Sequence, residues 1–400
     1  MDFALTEEQI ELKKWAHEFA EKEIRPVAAE YDESEEFPWP VIKKAAEAGL
    51  YGIDLYMQSQ QDPTGLTLPI VMEQIFWGCA GIGLAIFGTG LPLSALASVG
   101  TSEQLFEWAP KMFGTPEEPQ VGAFCVTEPQ AGSDVRSLRT RAVREGDEWV
   151  LNGQKVFITN GQYANVYIVV ATVDQELGHR GQASFIVSRD DPGISPGKKE
   201  KKLGIRASDT SEVLLQDCRI PVDRVVGGMD RLEEKLEKAR TGASTGRSSA
   251  ALRTFEVTRP SVAIQAVGIA QAAMEFAIDY AKERKAFGVP IAQHQSIQNI
   301  LADMAVEIEA SRLLVYKAAW LAAGGHPFEK AEGSMSKLKG AETAVRVTEQ
   351  AVQVLGGYGY IKDFPVEKWY RDSKIYTIFE GTSEIQRLVI ARSISGVHIP

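Results

Sequence analysis

From Gln74 to Ser102 the chain carries no charged residue. Such a run must leave water, either for lipid or for a protein interior. It is longer than the ~20 residues that span a bilayer. Yet Gly78, Gly81, Gly83, Gly88, Gly90, Gly100 and Pro92 interrupt it, and neither flank carries a basic cluster. A buried helix, a turn and a second buried helix are therefore expected, with no membrane span. The fold must supply a helical interior for this stretch. With 44% hydrophobic and 24% charged residues, the 400-residue chain is long enough for two or three domains of a soluble protein.

The hydrophobic period divides the chain into three. Thr6-Glu7-Glu8-Gln9 is a capping box. The helix after it should bury Leu12, Trp15 and Phe19, with its end perturbed by Pro26. A second helix ends at Gly49. Residues 1–120 read as an all-α domain closed by Gly114-Thr115-Pro116. Residues 121–228 then read as a mainly antiparallel β-domain, a barrel or orthogonal sandwich. Its strands are Val121–Val126, Val166–Thr172, Ala183–Ser188 and Glu212–Gln216. Asn152-Gly153 signals a hairpin between Trp149 and Ile158, and Asp191-Pro192-Gly193 and Ser195-Pro196-Gly197 read as loops. Residues 229–400 return to the helical period, with Pro260–Arg284, Ser296–Ala323 and Gly333–Leu355 long enough for a bundle. Pro260 suits the first turn of its helix. The fold class is thus α+β and multidomain.

A net charge of −11 argues against nucleic acid as a bulk partner. Cys79, Cys125 and Cys218 show no metal-ligand or redox-pair spacing, so they read as reduced, no metal is expected, and the location reads as cytoplasmic. The start lacks a secretory leader pattern.

Chemistry concentrates near the end, in Ile375–Arg387. Glu380 sits among aromatic and aliphatic neighbours, and Gly381 permits a bend or close approach. Thr382 or Ser383 caps a helix carrying Ile385, Leu388 and Val389. The helix dipole favours the ionised carboxylate, whereas apolar surroundings raise its pKa. Such a carboxylate can serve as a shielded base or merely cap the helix. Cys125–Asp134 can hold an anionic or ring-shaped ligand, or be an ordinary strand-to-turn loop. Lys155–Gly161 presents an aromatic, Phe157. No glycine-rich dinucleotide fingerprint is present.

Taken together, these stretches resemble the acyl-CoA dehydrogenases, over about Phe3 to Ile394. The resemblance implies a helical N-terminal domain, a middle β-barrel domain and a C-terminal four-helix bundle. It implies FAD as cofactor, an acyl-CoA substrate and α,β-dehydrogenation to a trans-2-enoyl-CoA, with Glu380 as the catalytic base. Some family branches carry the base at the position of Thr258; here that residue is Thr. FAD contacts fall on Phe124, Val126, Thr127, Gly132, Ser133, Phe157, Ile158, Thr159, Thr382 and Glu384. From a neighbouring subunit they would fall on Arg284, Phe287, His294, Gln295, Gln353, Gly356 and Gly357. Substrate contacts fall on Ser133, Phe87, Glu256, Arg259 and Gly381. The implied assembly is a homotetramer, a dimer of dimers, and the implied electron acceptor an electron-transferring flavoprotein.

Gln130 stands where the family usually has Gly, and Phe157 where it often has Trp. Phe87 either shortens the acyl pocket or fills the core. Gly228–Thr254 is longer than the usual family loop. Its first half can form a helix with Glu234–Lys238 pairing, and its Gly/Ser-rich second half, Thr241–Ser249, reads as mobile. The loop either adapts the pocket mouth or is a neutral surface insertion. A flavin oxidase or monooxygenase, and a non-catalytic flavin-, acyl-CoA- or DNA-binding relative, would share the fold.

Overall fold

The computed structural model describes residues 4–242 and 250–397, apart from the side chains of 250–257. Helix α1 (Glu7–Phe19) starts at the capping box: Thr6 accepts from the Gln9 N–H, and Gln9 returns a bond to Thr6. Leu12 and Phe19 pack against the main core as expected, but Trp15 does not. Ala16 and Ala20 are fully buried while Trp15 is 42% exposed. Small residues on that face let α1 lie close to α5. A π-turn (Ala20–Ile24) and a 3-10 turn with Pro26 follow, because Pro26 has no N–H to continue the ladder. Next come α2 (Ala28–Ser34), α3 (Trp39–Glu47), α4 (Ile53–Gln61), α5 (Thr67–Gly78), α6 (Ala80–Phe87), α7 (Gly90–Val99) and α8 (Ser102–Phe113). The uncharged stretch is the end of α5 with α6 and α7, and every residue of α6 is buried.

The middle layer is one seven-stranded sheet. Its strands are β1 (Gly122–Cys125), β2 (Arg141–Glu145), β3 (Glu148–Thr159), β4 (Val166–Thr172), β5 (Gln182–Ser188), β6 (Ile194–Lys199) and β7 (Thr210–Pro221). Their order is β1-β4-β2-β3-β7-β6, with β5 also on β4. Pairing is antiparallel except β1–β4 and the single bridge β2–β4. All of β4 is buried, because both faces are covered. Val166, Ile168 and Val170 join the core shared with the helices, while Tyr167, Val169 and Ala171 join a second core. That alternation is the period-2 geometry of a strand.

Three local expectations are corrected. Asn152-Gly153 is no hairpin turn: β3 runs through it, with a register shift between Leu151 and Gly153. Asn152 pairs across the strands with Asp217, giving and receiving bonds of 3.0 and 2.8 Å, and a Cβ at Gly153 would lie 2.4 Å from Thr140 Oγ1. The turn lies instead at Gly146-Asp147, between β2 and β3. Ser195-Pro196-Gly197 is part of β6, an edge strand, where a missing N–H is tolerated. Pro260 lies inside α10 rather than in its first turn.

Helix α9 (Met229–Arg240) follows the sheet, and its Leu232 and Leu236 pack on the second core. Glu234 and Lys238 pair on it as expected. The Gly/Ser-rich residues 243–249 lie outside the described residues. Then come α10 (Ala250–Glu283), the short pair β8 (Lys285–Ala286) and β9 (Val289–Pro290), α11 (Gln295–Ala323), α12 (Glu332–Leu355), α13 (Val366–Ser373) and α14 (Ser383–Ser395). Helices α10, α11 and α12 pack together, with α5 against α10 and α14 against α12.

Candidate active site

Glu380 stands between the end of the α13 region and α14. Its backbone is left-handed (φ +55°), as is that of Gly381 (φ +89°). A non-glycine residue there is strained, and two side chains hold it. The Gln386 amide donates to the Glu380 and Gly381 carbonyls at 3.1 and 3.0 Å. The Lys337 ammonium donates to the Gly381 carbonyl at 2.6 Å. Thr382 caps α14 by accepting from Ile385 N–H.

The Glu380 residue keeps intermediate exposure, but its carboxylate is desolvated. Burial is the largest influence and raises the pKa from 4.5 to about 7, against the Thr258 hydrogen bond and the charges of Arg259 and Lys337. Thr258, on α10, donates to Glu380 Oε2 at 3.0 Å. Arg259 is buried and donates to Ser334 at 2.9 Å. Among the described residues no cation forms an ion pair with Glu380 within 4.0 Å. A carboxylate held, among the described residues, by one hydroxyl and balanced near neutrality can accept a proton without first breaking a salt bridge to any of them. Glu256 lies outside the described side chains. Phe87 is buried against Phe76 in the main core.

A second constellation surrounds the ends of β1 and β3. Phe124 and Val126 are buried. The loop after them folds over Glu128, which takes Lys155 at 2.8 Å and the N–H groups of Arg139 and Thr140 at 2.6 and 3.0 Å. Burial alone would raise the Glu128 pKa, but Lys155 and these bonds prevail and lower it. Lys155 also donates to the Val126 carbonyl at 2.9 Å. Gln130 adds a bond to Glu128 at 2.7 Å. The loop thereby presents Gly132 and Ser133 at the surface, and a Cβ at Gly132 would meet no atom within 4 Å.

Two residues past Lys155, Phe157 has φ +58° and is 64% exposed. A β3–β7 register shift between Lys155 and Ile158 turns it out of the sheet. An aromatic in left-handed backbone on a strand, facing outward, is costly unless something flat covers it. Ile158 is buried, and Thr159 is half-buried near Gly88.

A third constellation is a pocket of about 430 Å³ lined by Tyr280, Arg284, Ile291, Val354, Leu355, Gly356, Gly357, Tyr358 and Ile361. Arg284 lies over the Tyr358 ring at 5.7 Å. Nearby, Phe287 is 95% exposed with φ +54° and meets His294 edge-on at 5.8 Å. Gln295 and Gln353 are exposed. None of Glu380, Phe157 or Ser133 lines this pocket.

The residues fit a large cofactor with a flat ring system and polar arms. Phe157 offers a face, Gly132, Gly356 and Gly357 leave open space where a Cβ would project, and Ser383 Oγ, buried at the start of α14, has no hydrogen-bond partner among the described residues. Lys337 and Gln386 were not singled out by sequence reasoning. A lysine at a helical position gives no sign from sequence that it will be buried, and a glutamine one turn into a helix looks like surface.

Comparison with known proteins matches all three regions. Family profiles described as the N-terminal, middle and C-terminal domains of acyl-CoA dehydrogenase match residues 6–115, 123–218 and 248–395. The chain is 41% identical over 383 residues to the mitochondrial short-chain specific acyl-CoA dehydrogenase of Bos taurus, covering 95% of this chain and 88% of the relative. It is 40% identical over 397 residues to the short-chain specific acyl-CoA dehydrogenase of Clostridium acetobutylicum, covering 98% and 100%. The solved structure of butyryl-CoA dehydrogenase from Megasphaera elsdenii superposes with a TM-score of 0.88 at 35% identity, covering 98% and 100%.

Proposed function

The chain belongs to the acyl-CoA dehydrogenase family, FAD-dependent oxidoreductases acting on the CH–CH bond of acyl-CoA thioesters, and on that premise we propose that Glu380 is its base and a short-chain acyl-CoA its substrate. The observation that carries the assignment is the desolvated Glu380 carboxylate with a pKa of about 7 and, among the described residues, a single hydroxyl partner. The short-chain reading rests on the relatives' names and on the full-length match.

FAD would be held by Phe157, Thr159 and the Gly132-Ser133 loop, with Arg284, Phe287, His294, Gln295, Gln353, Gly356 and Gly357 contributed by a neighbouring subunit. When bound it supplies the two-electron acceptor for the β-hydride. The Glu380 carboxylate takes the α-proton and becomes the neutral acid. The Glu380 N–H, which donates no bond among the described residues, is free to polarise the thioester carbonyl and so acidify the α-carbon. Thr258 keeps the carboxylate aimed while it is ionised.

A site shared between subunits requires an oligomer, and we infer a homotetramer, a dimer of dimers. Exposed apolar residues on the C-terminal helices support this: Val306 at 68%, Ile394 at 64%, Leu388 at 45%. Electrons would leave to an electron-transferring flavoprotein. A cytoplasmic setting agrees with three buried, free cysteines.

The test is anaerobic addition of acyl-CoAs of increasing length to the yellow protein. Butyryl-CoA should bleach the flavin rapidly and palmitoyl-CoA should not. Bleaching by long chains alone would refute the short-chain reading. Rapid reoxidation of the reduced flavin by oxygen would favour an oxidase.

A further inference from the structure

Lys337 lies on α12, and its side chain is fully buried. A buried ammonium is costly without a carboxylate partner. Among the described residues Lys337 has no ion pair, and its only hydrogen-bond acceptor is the Gly381 carbonyl at 2.6 Å. That carbonyl belongs to the residue after the base, in a segment whose two consecutive residues have left-handed backbone. The fold therefore places a buried charge on a turn whose backbone must be held against its preference.

We infer that Lys337 is a positioning residue for proton abstraction: its buried ammonium, anchored on the Gly381 carbonyl, keeps the Glu380 carboxylate ionised and its turn left-handed. The inference rests on Glu380 being the base.

The charged and polar groups that act on Glu380 come from two helices. From α10 they are the Thr258 hydroxyl, which donates to it, and Arg259, whose charge favours ionisation. From α12 it is Lys337, which also favours ionisation and which itself feels Glu342 on α12 and Glu384 on α14. Arg259 donates to Ser334 and is the larger of the two cationic influences on Glu380, while Lys337 is the cation bonded to the base's own segment, at the Gly381 carbonyl. The coupling is mutual: burial lowers the Lys337 pKa to about 8, and Glu380 opposes that fall. Removing the ammonium leaves burial less opposed at Glu380, so the carboxylate should hold its proton to higher pH.

The experiment follows flavin reduction by butyryl-CoA against pH in wild type, Lys337→Met, Lys337→Gln and Lys337→Arg. An infrared titration of the Glu380 carboxyl, referenced to Glu380→Gln, reads the same ionisation without turnover. Loss of the charge should move the acid limb and the infrared midpoint up by about one unit. The reduction rate should then fall about fivefold at pH 7 and recover by pH 9, with KM little changed. Lys337→Gln keeps a donor and should shift likewise if Met does not fold. Lys337→Arg keeps the charge and should restore the wild-type limb. Superimposable profiles, or an equal loss at every pH, would overturn the inference. Undiminished turnover in Glu380→Gln would instead sink the base assignment itself.

Discussion

At Glu380 two opposing influences meet: burial disfavours the charge, while Thr258, Arg259 and Lys337 favour it. The resulting pKa of about 7 leaves the carboxylate poised between its acid and base forms at neutral pH. It also makes a stability prediction whose sign can be worked out. The folded pKa lies above the unfolded value of 4.5. Between the two, the folded chain holds a proton that the unfolded chain releases. Stability from this group is fully present below 4.5 and declines as pH rises through 7. Glu380→Gln, a neutral isostere, should therefore be more stable than wild type at pH 8 by roughly 1–3 kcal/mol and equal to it near pH 4. Urea unfolding at the two pH values measures this, and equal stability at both would mean that the carboxylate is not desolvated.

At the scale of elements, the Glu128–Lys155 pair carries the loop that presents Gly132 and Ser133, and it underlies the β3 bulge that exposes Phe157. Lys155→Met leaves Glu128 buried with only neutral donors. It should cost roughly 3–5 kcal/mol and weaken FAD retention, read by urea midpoint and by flavin released on dilution. Helix α9 covers the outer face of the sheet through Leu232, which is 5% exposed. Leu232→Ala should destabilise by about 2–4 kcal/mol while leaving chain-length preference unchanged; an altered preference would show that the insertion shapes the pocket. These elements were unequally legible in the sequence. The long C-terminal helices, the first helix and most strands followed from period and capping, as Thr6–Gln9 and Val166–Thr172 illustrate, whereas the short helices α2, α4, α8 and α13 were not read. Asn152-Gly153 misled because a cross-strand partner, Asp217, turned a hairpin signature into a bulge. Strands β2 and β6 lie toward the surface, with Arg141, Arg144 and Pro196 diluting their pattern. Phe157 was recognisable by resemblance, but its outward turn depends on a register shift that no local pattern encodes.

At the scale of the whole molecule, one core runs from α1 through the helical layer and one face of the sheet into α10–α12. Glu380 lies where α10, α12 and α14 converge, so its surroundings come from residues more than a hundred positions apart, such as Thr258 and Glu380. The pocket at Arg284, Gly356 and Gly357 is separate from that point. If a second subunit completes the FAD site there, Phe287→Ala should lower both flavin occupancy and the sedimenting mass; flavin loss with an intact oligomer would assign Phe287 to cofactor contact alone. The central claim is that Glu380 removes the α-proton. The most direct measurement is anaerobic single-turnover reduction of Glu380→Gln, reconstituted with FAD, by butyryl-CoA. The expected result is ligand binding with a normal flavin spectrum and a reduction rate lowered by about 10²–10⁴-fold. Bleaching at the wild-type rate would contradict the account and require another base.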